Sequence, residues 1–86
     1  MENQIVKVPT VGRIVHYYPV NDSICKASNA EFVPAIIVQC WGNLMSNIQV
    51  FTMNPDAQNV LRYSVHHKSE LLEGSELSYW EYPPII

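Results

Sequence analysis

The chain has 86 residues with 5 Lys+Arg, 8 Asp+Glu and 3 His, a net charge of −3, and 48% hydrophobic residues. That length makes a single domain, 1–86, near the small end, where roughly two-thirds of the unfolded surface is hidden. Charged residues at 15% exclude a disordered tail, and a net negative balance excludes coating of duplex nucleic acid, which needs several Lys or Arg contacts to phosphate.

The start, Met1-Glu2-Asn3-Gln4-Ile5, has an acid at position two and no apolar stretch of signal-peptide length. The longest apolar block, Val33-Pro34-Ala35-Ile36-Ile37-Val38, falls far short of the roughly 20 residues that span a bilayer. Both features predict a cytoplasmic chain with no membrane partner, and Cys25 and Cys40 are expected as reduced thiols. Cys40, in an apolar run, reads as a core residue; Cys25, in a polar stretch, reads as accessible.

The elements are β in pattern. Val11 to Tyr18 is rich in β-branched and aromatic residues and stops at Pro19. Residues 20–31 form a polar connection, long for a compact domain, and loops of that length are usually functional. Phe32 to Trp41 is the strongest strand, apolar on both faces at Ile36-Ile37-Val38. Ile48 to Met53 follows, and Asn54-Pro55-Asp56-Ala57 suits the type I turn of a hairpin. Val60 to His67 is the fourth strand, and Leu77 to Tyr82 a short fifth before Pro83-Pro84. Between them, Ser69 to Gly74 suits one helical turn with Ser as N-cap and Gly as terminator. The expected fold is all-β, a small, bent SH3-like barrel of about five antiparallel strands, because closure removes most sheet edges. The other arrangement is a twisted sheet whose edge pairs with a second subunit.

The negative charge is localised. Glu70, Glu73, Glu76 and Glu81 stand without a base in a short acidic C-terminal segment, 69–86. The first 68 residues carry one more base than acid and hold every histidine.

Catalytic chemistry is missing from the pattern. Asp22 and Asp56 both sit in turn contexts, the clustered glutamates read as a solvated edge, and no nucleophile elbow, phosphate loop or dinucleotide fingerprint occurs. The expectation is a chain that is not an enzyme and needs no cofactor. His66 and His67 are adjacent on a strand and point to opposite faces, so no metal site is expected from them.

A basic and aromatic constellation is present instead. Arg13, His16, Tyr17 and Tyr18 share the first strand; Arg62, Tyr63, His66 and His67 share the fourth, with Lys68 just beyond. Strand alternation sets Arg62, Ser64 and His66 on a solvent face, opposite a core face of Leu61, Tyr63 and Val65. Arg, Lys, Ser and His can each donate hydrogen bonds to phosphate oxygens. Trp41 and Trp80 end their strands, at an expected barrel rim, and aromatic rings there offer stacking partners to bases. The candidate ligand-binding residues are therefore Arg13, His16, Tyr18, Lys26, Trp41, Arg62, Ser64, His66, Lys68 and Trp80. The bland alternative is that the rings pack inward and that Arg62 and Lys68 solubilise a strand or pair with glutamates.

Gly12-Arg13-Ile14-Val15-His16-Tyr17, Pro34-Ala35-Ile36-Ile37-Val38, Val50-Phe51 with Asn54-Pro55-Asp56, Ser64-Val65 and Tyr79-Trp80-Glu81-Tyr82-Pro83 occur in that order. This block order resembles a family of small phage-encoded β proteins, largely of unknown function. Members commonly have an Asn-Pro-Asp-Gly hairpin and a Trp-His-Trp-Pro ending; here Ala57 replaces the Gly, and Glu81 and Tyr82 replace the His and Trp. The resemblance implies a viral origin and the cytoplasm of an infected bacterial host.

By analogy with small phage proteins that lack enzymatic motifs, the leading expectation is a non-catalytic counter-defence protein. It would bind and sequester a small anionic nucleotide ligand, an immune second messenger of cyclic dinucleotide or cyclic ADP-ribose type. A homo-oligomer is expected, because ligands favour interfaces and a two-fold assembly duplicates each patch. The rival expectation is an SH3-like protein-interaction module binding a host or viral protein through an aromatic rim.

Overall fold

A computed structural model describes residues 8–26, 30–41, 44–52 and 59–84. Five strands form a closed barrel: β1 (Ile14–Tyr18), β2 (Val33–Cys40), β3 (Ser46–Phe51), β4 (Asn59–His67) and β5 (Tyr79–Glu81), with a 3₁₀ turn, η1 (Lys68–Glu70), after β4. The all-β, SH3-like expectation holds. Neighbours along the chain pair antiparallel through β4, and β5 pairs antiparallel with β1. One pairing departs from the expected antiparallel set: β5 closes the barrel against β4 in parallel, His66 opposite Tyr79 and His67 opposite Trp80. A parallel neighbour needs a crossover rather than a hairpin. The acidic stretch between β4 and β5 is that crossover, so it is a working part of the barrel and no appended tail. No helix among the described residues is long and apolar enough to cross a membrane.

Alternation places Val15 and Tyr17 of β1, Val33, Ala35 and Ile37 of β2, and Ile48 and Val50 of β3 in the core. Trp80 is the largest fully buried side chain, although β5 is the shortest strand. Its indole Nε1–H donates to the Leu44 carbonyl at 3.0 Å, and the His67 backbone N–H donates to the same oxygen at 3.2 Å. One carbonyl thus holds both strands of the closing pair.

The expected faces of β4 fail over its first part, residues 61–63, and hold at Val65, beyond the bulge. Leu61 and Tyr63 point to solvent, 36% and 69% exposed, whereas Val65 and His67 are buried. The β3–β4 register shifts between Ser46 and Ile48: Ile48 faces Arg62, but Ser46 faces Val65, leaving one extra residue in β4. Ser64 takes up that residue with φ 55, and its N–H donates to Asn47 Oδ1 at 2.9 Å. A bulge of this kind reverses the facing of everything beyond it. Arg62, before the bulge, faces inward with Ile48, whereas His66, beyond it, lies on the opposite side from Val65 and His67, so Arg62, Ser64 and His66 do not form the one continuous solvent face expected.

The 20–31 connection is anchored rather than loose where it is described. Cys25 is fully buried in the core, correcting its expected accessibility, and Cys40 is only half-buried. Asp22 receives Arg62 Nε at 2.7 Å, Arg62 Nη2 at 3.1 Å and the Tyr17 hydroxyl at 2.8 Å. The expected helical turn at Ser69–Gly74 is displaced: η1 starts at Lys68 and its cap is His67, whose Nδ1 accepts the Ser69 N–H. Gly74 lies in a separate turn at φ 84. The first strand begins at Ile14 rather than Val11, because Gly12 turns at φ 94, although its N–H still reaches Ile37 O at 2.7 Å. The Asn54–Ala57 turn lies outside the described residues.

Burial alone would push the Asp22 carboxyl up, but hydrogen bonds from Arg62, Tyr17 and Cys25, with the Arg62 charge, outweigh it and hold it well below the usual carboxylate range. A depressed carboxyl stabilises the fold above the unfolded value of about 4, and that contribution fades as pH falls below it. Asp22→Ala is expected to cost about 2–3 kcal/mol in urea unfolding at neutral pH and to flatten the wild-type loss of stability in acid. At the bulge, thermal melts should show Ser64→Gly neutral or stabilising by up to about 1 kcal/mol, and Ser64→Val destabilising by about 1–2 kcal/mol.

Candidate functional site

Tyr18 and Tyr79 are cross-strand partners on the outward face of the β1–β5 pair. Their rings stack with centroids 4.8 Å apart and planes 15° from parallel. The row continues through Phe32, 5.4 Å from Tyr18, to His16, which lies flat on Phe32 at 3.8 Å. At the other end Lys68 Nζ sits 5.7 Å from the Tyr79 ring centroid, within cation–π reach. An open cleft of about 420 Å³ runs beside this row, lined by Tyr18, Tyr79, Pro19, Val20, Lys26 and Glu31 among others.

The cleft is electrostatically mixed. Burial, then Glu81, Tyr79 and Glu31, push the Tyr18 hydroxyl up, so it remains a neutral donor at physiological pH. His16 Nδ1 is buried without a hydrogen-bond partner among the described residues. Lys26 and Lys68 supply positive charge, while Glu31 and Glu81 supply negative charge close by.

A clamp separates this cleft from a second one. Asn21 and Ser78 are joined by three hydrogen bonds, Asn21 N to Ser78 Oγ at 3.1 Å, Ser78 N to Asn21 Oδ1 at 3.2 Å, and Ser78 Oγ to Asn21 Oδ1. Beyond it, a cleft of about 360 Å³ is lined by Tyr17, Asp22, Arg62, Tyr63, Ser64 and His66 among others. Its guanidinium is held by Asp22, and that hydrogen bonding raises the already high Arg62 pKa. An incoming phosphate would have to displace a carboxylate already in place. His66 Nδ1 lies 3.0 Å from Glu70 Oε1, which occupies it as well.

Of the candidate residues, Tyr18 and Lys26 line the first cleft, and His16 and Lys68 stand at the two ends of the ring row that includes Tyr18 and Tyr79. Arg62, Ser64 and His66 line the second, Ser64 serving mainly as the bulge. Arg13 lies elsewhere, its Cζ 5.1 Å from the Tyr82 ring centroid. Trp41 is half-exposed and lines neither cleft, its Nε1–H donating to Asn47 Oδ1 at 3.1 Å. Trp80 is withdrawn as a stacking residue: at 0% exposure with its indole N–H satisfied, it is core. Phe32 and Tyr79 were missed. Tyr79 precedes Trp80, so strand alternation around a buried Trp80 would have turned it outward.

Among the described residues no group of three or more His, Cys, Asp or Glu is placed to hold a metal ion. No family model, curated protein or solved structure matches the chain.

His67 faces the other way, buried against Trp80 and Tyr82 with ring centroids 4.7 Å and 6.2 Å away. Because its Nδ1 accepts the Ser69 N–H at 3.0 Å, the neutral ring carries its proton on Nε2. Burial pushes its pKa down, against opposing pulls from Glu81 and Glu70. A depressed histidine stabilises the fold above its unfolded value of about 6.5 and loses that contribution as pH falls below it. The melting temperature should therefore drop as pH falls below about 6.5, and His67→Asn, which keeps a capping acceptor, should remove that part of the drop in a calorimetric pH series.

Proposed function

We propose that this chain is a binding protein rather than an enzyme, and that the Tyr18–Tyr79 cleft takes a small planar anion of the nucleotide class. The observation that carries the reading is the stacked tyrosine pair beside Lys26 and under Lys68. Aromatic rings beside cations suit a base and its phosphate together, since ring contact and charge act on adjoining parts of one ligand. The cleft volume falls within the range of about 300–1,000 Å³ that small-molecule sites occupy. Sequestration of a cyclic-nucleotide second messenger, as a phage counter-defence protein would perform it, is the role we assign.

Titration calorimetry against a panel of cyclic mono- and dinucleotides and cyclic ADP-ribose isomers tests this. Binding of at least one member is expected, with Tyr79→Ala weakening it by about 5- to 150-fold, the equivalent of one stacked base. Lys26→Glu should weaken it too, more at low salt than at high salt. Binding to no member would overturn the reading, as would recovery of a chemically altered nucleotide.

Glu31 and Glu81 favour a second reading, an SH3-like protein-interaction module. The same stacked rings flanked by acids suit a Pro-rich peptide that carries a basic residue. Capture of one stoichiometric protein partner, lost in Glu31→Lys while nucleotide binding is absent throughout, would favour it.

A further inference from the structure

The β4–β5 crossover carries an open groove of its own. It encloses about 460 Å³ and is lined by His66, Glu70, Leu71, Leu72, Glu73 and Leu77 among others, sharing no lining residue with the tyrosine cleft. Two turns shape it. The Leu71 N–H donates to the Lys68 carbonyl at 3.1 Å, and the Ser75 N–H donates to the Leu72 carbonyl at 3.0 Å, with Gly74 inside that second turn at φ 84. The turns hold leucines outward: Leu72 is 86% exposed and Leu77 50%. Two carboxylates stand beside them. Glu70 is tied down, its Oε2 accepting the Leu44 N–H at 3.3 Å and its Oε1 lying 3.0 Å from His66 Nδ1. Glu73 is exposed and makes no ion pair among the described residues. Lys68, the nearest base along the chain, is turned onto the Tyr79 ring, and residues 69–86 contain no Lys or Arg.

We infer that this groove docks a basic amphipathic segment of a different protein, its apolar side chains on Leu72 and Leu77 and its Lys or Arg over Glu73. Leucine and carboxylate together select that occupant. Nucleic acid and anionic bilayers are repelled by Glu70, Glu73 and Glu76. A small cation would gain nothing from the leucines. An uncharged apolar partner would take the Glu73 carboxylate out of water with no counter-charge to offer. A second copy of this chain does not fit either. Its five bases stand at positions 7, 13, 26, 62 and 68, no two closer than six residues, so it has no basic segment to present, and two copies at −3 repel. A segment with both Leu-like and Lys-like side chains matches both halves of the groove. The site is separate from the tyrosine cleft and stands whether or not that cleft binds nucleotides.

Fluorescence anisotropy is the test. The probe is a fluorescein-labelled helical peptide of Leu and Lys, about 14 residues with its leucines on one face. Saturable binding at one peptide per chain is expected. Leu72→Ser should weaken it about ten-fold, the lower end for a leucine side chain leaving water, with an unaltered far-UV spectrum. Glu73→Lys should weaken it about 3- to 10-fold at low salt, and less with salt added. Glu31→Lys, the same charge change at the tyrosine cleft, should leave it unchanged, and a peptide with Glu in place of Lys should not bind. Absence of saturable binding would overturn the inference. So would equal weakening by Glu31→Lys and Glu73→Lys, which is bulk charge alone, or binding indifferent to Leu72→Ser. A chain that dimerises by itself and loses the dimer in Leu72→Ser would also overturn it, because its own copy would then fill the groove.

Discussion

The hydrogen bond from the Ser64 N–H to the Asn47 side chain holds one residue of β4 in a left-handed conformation, and the facing of the strand turns on it. Before the bulge, Arg62 points inward and Leu61 and Tyr63 point out; beyond it, Val65 and His67 point inward. An uninterrupted strand could not supply both the Arg62–Asp22 pair and the His67–Trp80 contact from the inner face, because five residues separate Arg62 from His67. That is an odd interval, and strand alternation would send them to opposite sides. The backbone strain at Ser64 is offset by these two contacts, each of which fastens a long connection to the barrel.

Those connections are where a small barrel is weakest. The β1–β2 connection is fastened by burying Cys25 and by the hydrogen bonds from Arg62 and Tyr17 to Asp22. Burial of the Cys25 thiol, with Asp22 beside it, pushes it up to about 11, so it stays protonated and packs as a small apolar group. The β4–β5 crossover is fastened at both ends: His67 caps η1, Glu70 accepts the Leu44 N–H at 3.3 Å, and Trp80 fills the core. A strand of three residues makes few ladder bonds, so side-chain burial rather than backbone pairing keeps β5 in place.

The same anchoring sorts the surface into two kinds. On the β1–β5 side, outward rings stack with one another and under Lys68, beside an open cleft that Lys26 also lines. On the β2–β4 side, Arg62 has been drawn inward, and β2 and β3 carry no Asp, Glu, Lys or Arg.

Much of the fold was legible in the sequence because it depends on local pattern. Strand alternation, Pro19 as a stop and the β-rich composition predict five strands in nearly their observed places, and a short chain with five strands does best by closing a barrel. Tyr18, Lys26, Lys68 and His16 could be named in advance as surface groups, since each lies in a strand or loop whose local character survives folding. The inner role of Arg62, the burial of Trp80, the outward turn of Tyr63 and the parallel closing pair were decided only by tertiary structure. Each depends on a partner far along the chain: Asp22 is 40 residues from Arg62, and Leu44 is 36 from Trp80. A one-residue bulge leaves no mark in composition or periodicity, yet it inverts every side chain beyond it, because the side-chain period of a strand is two.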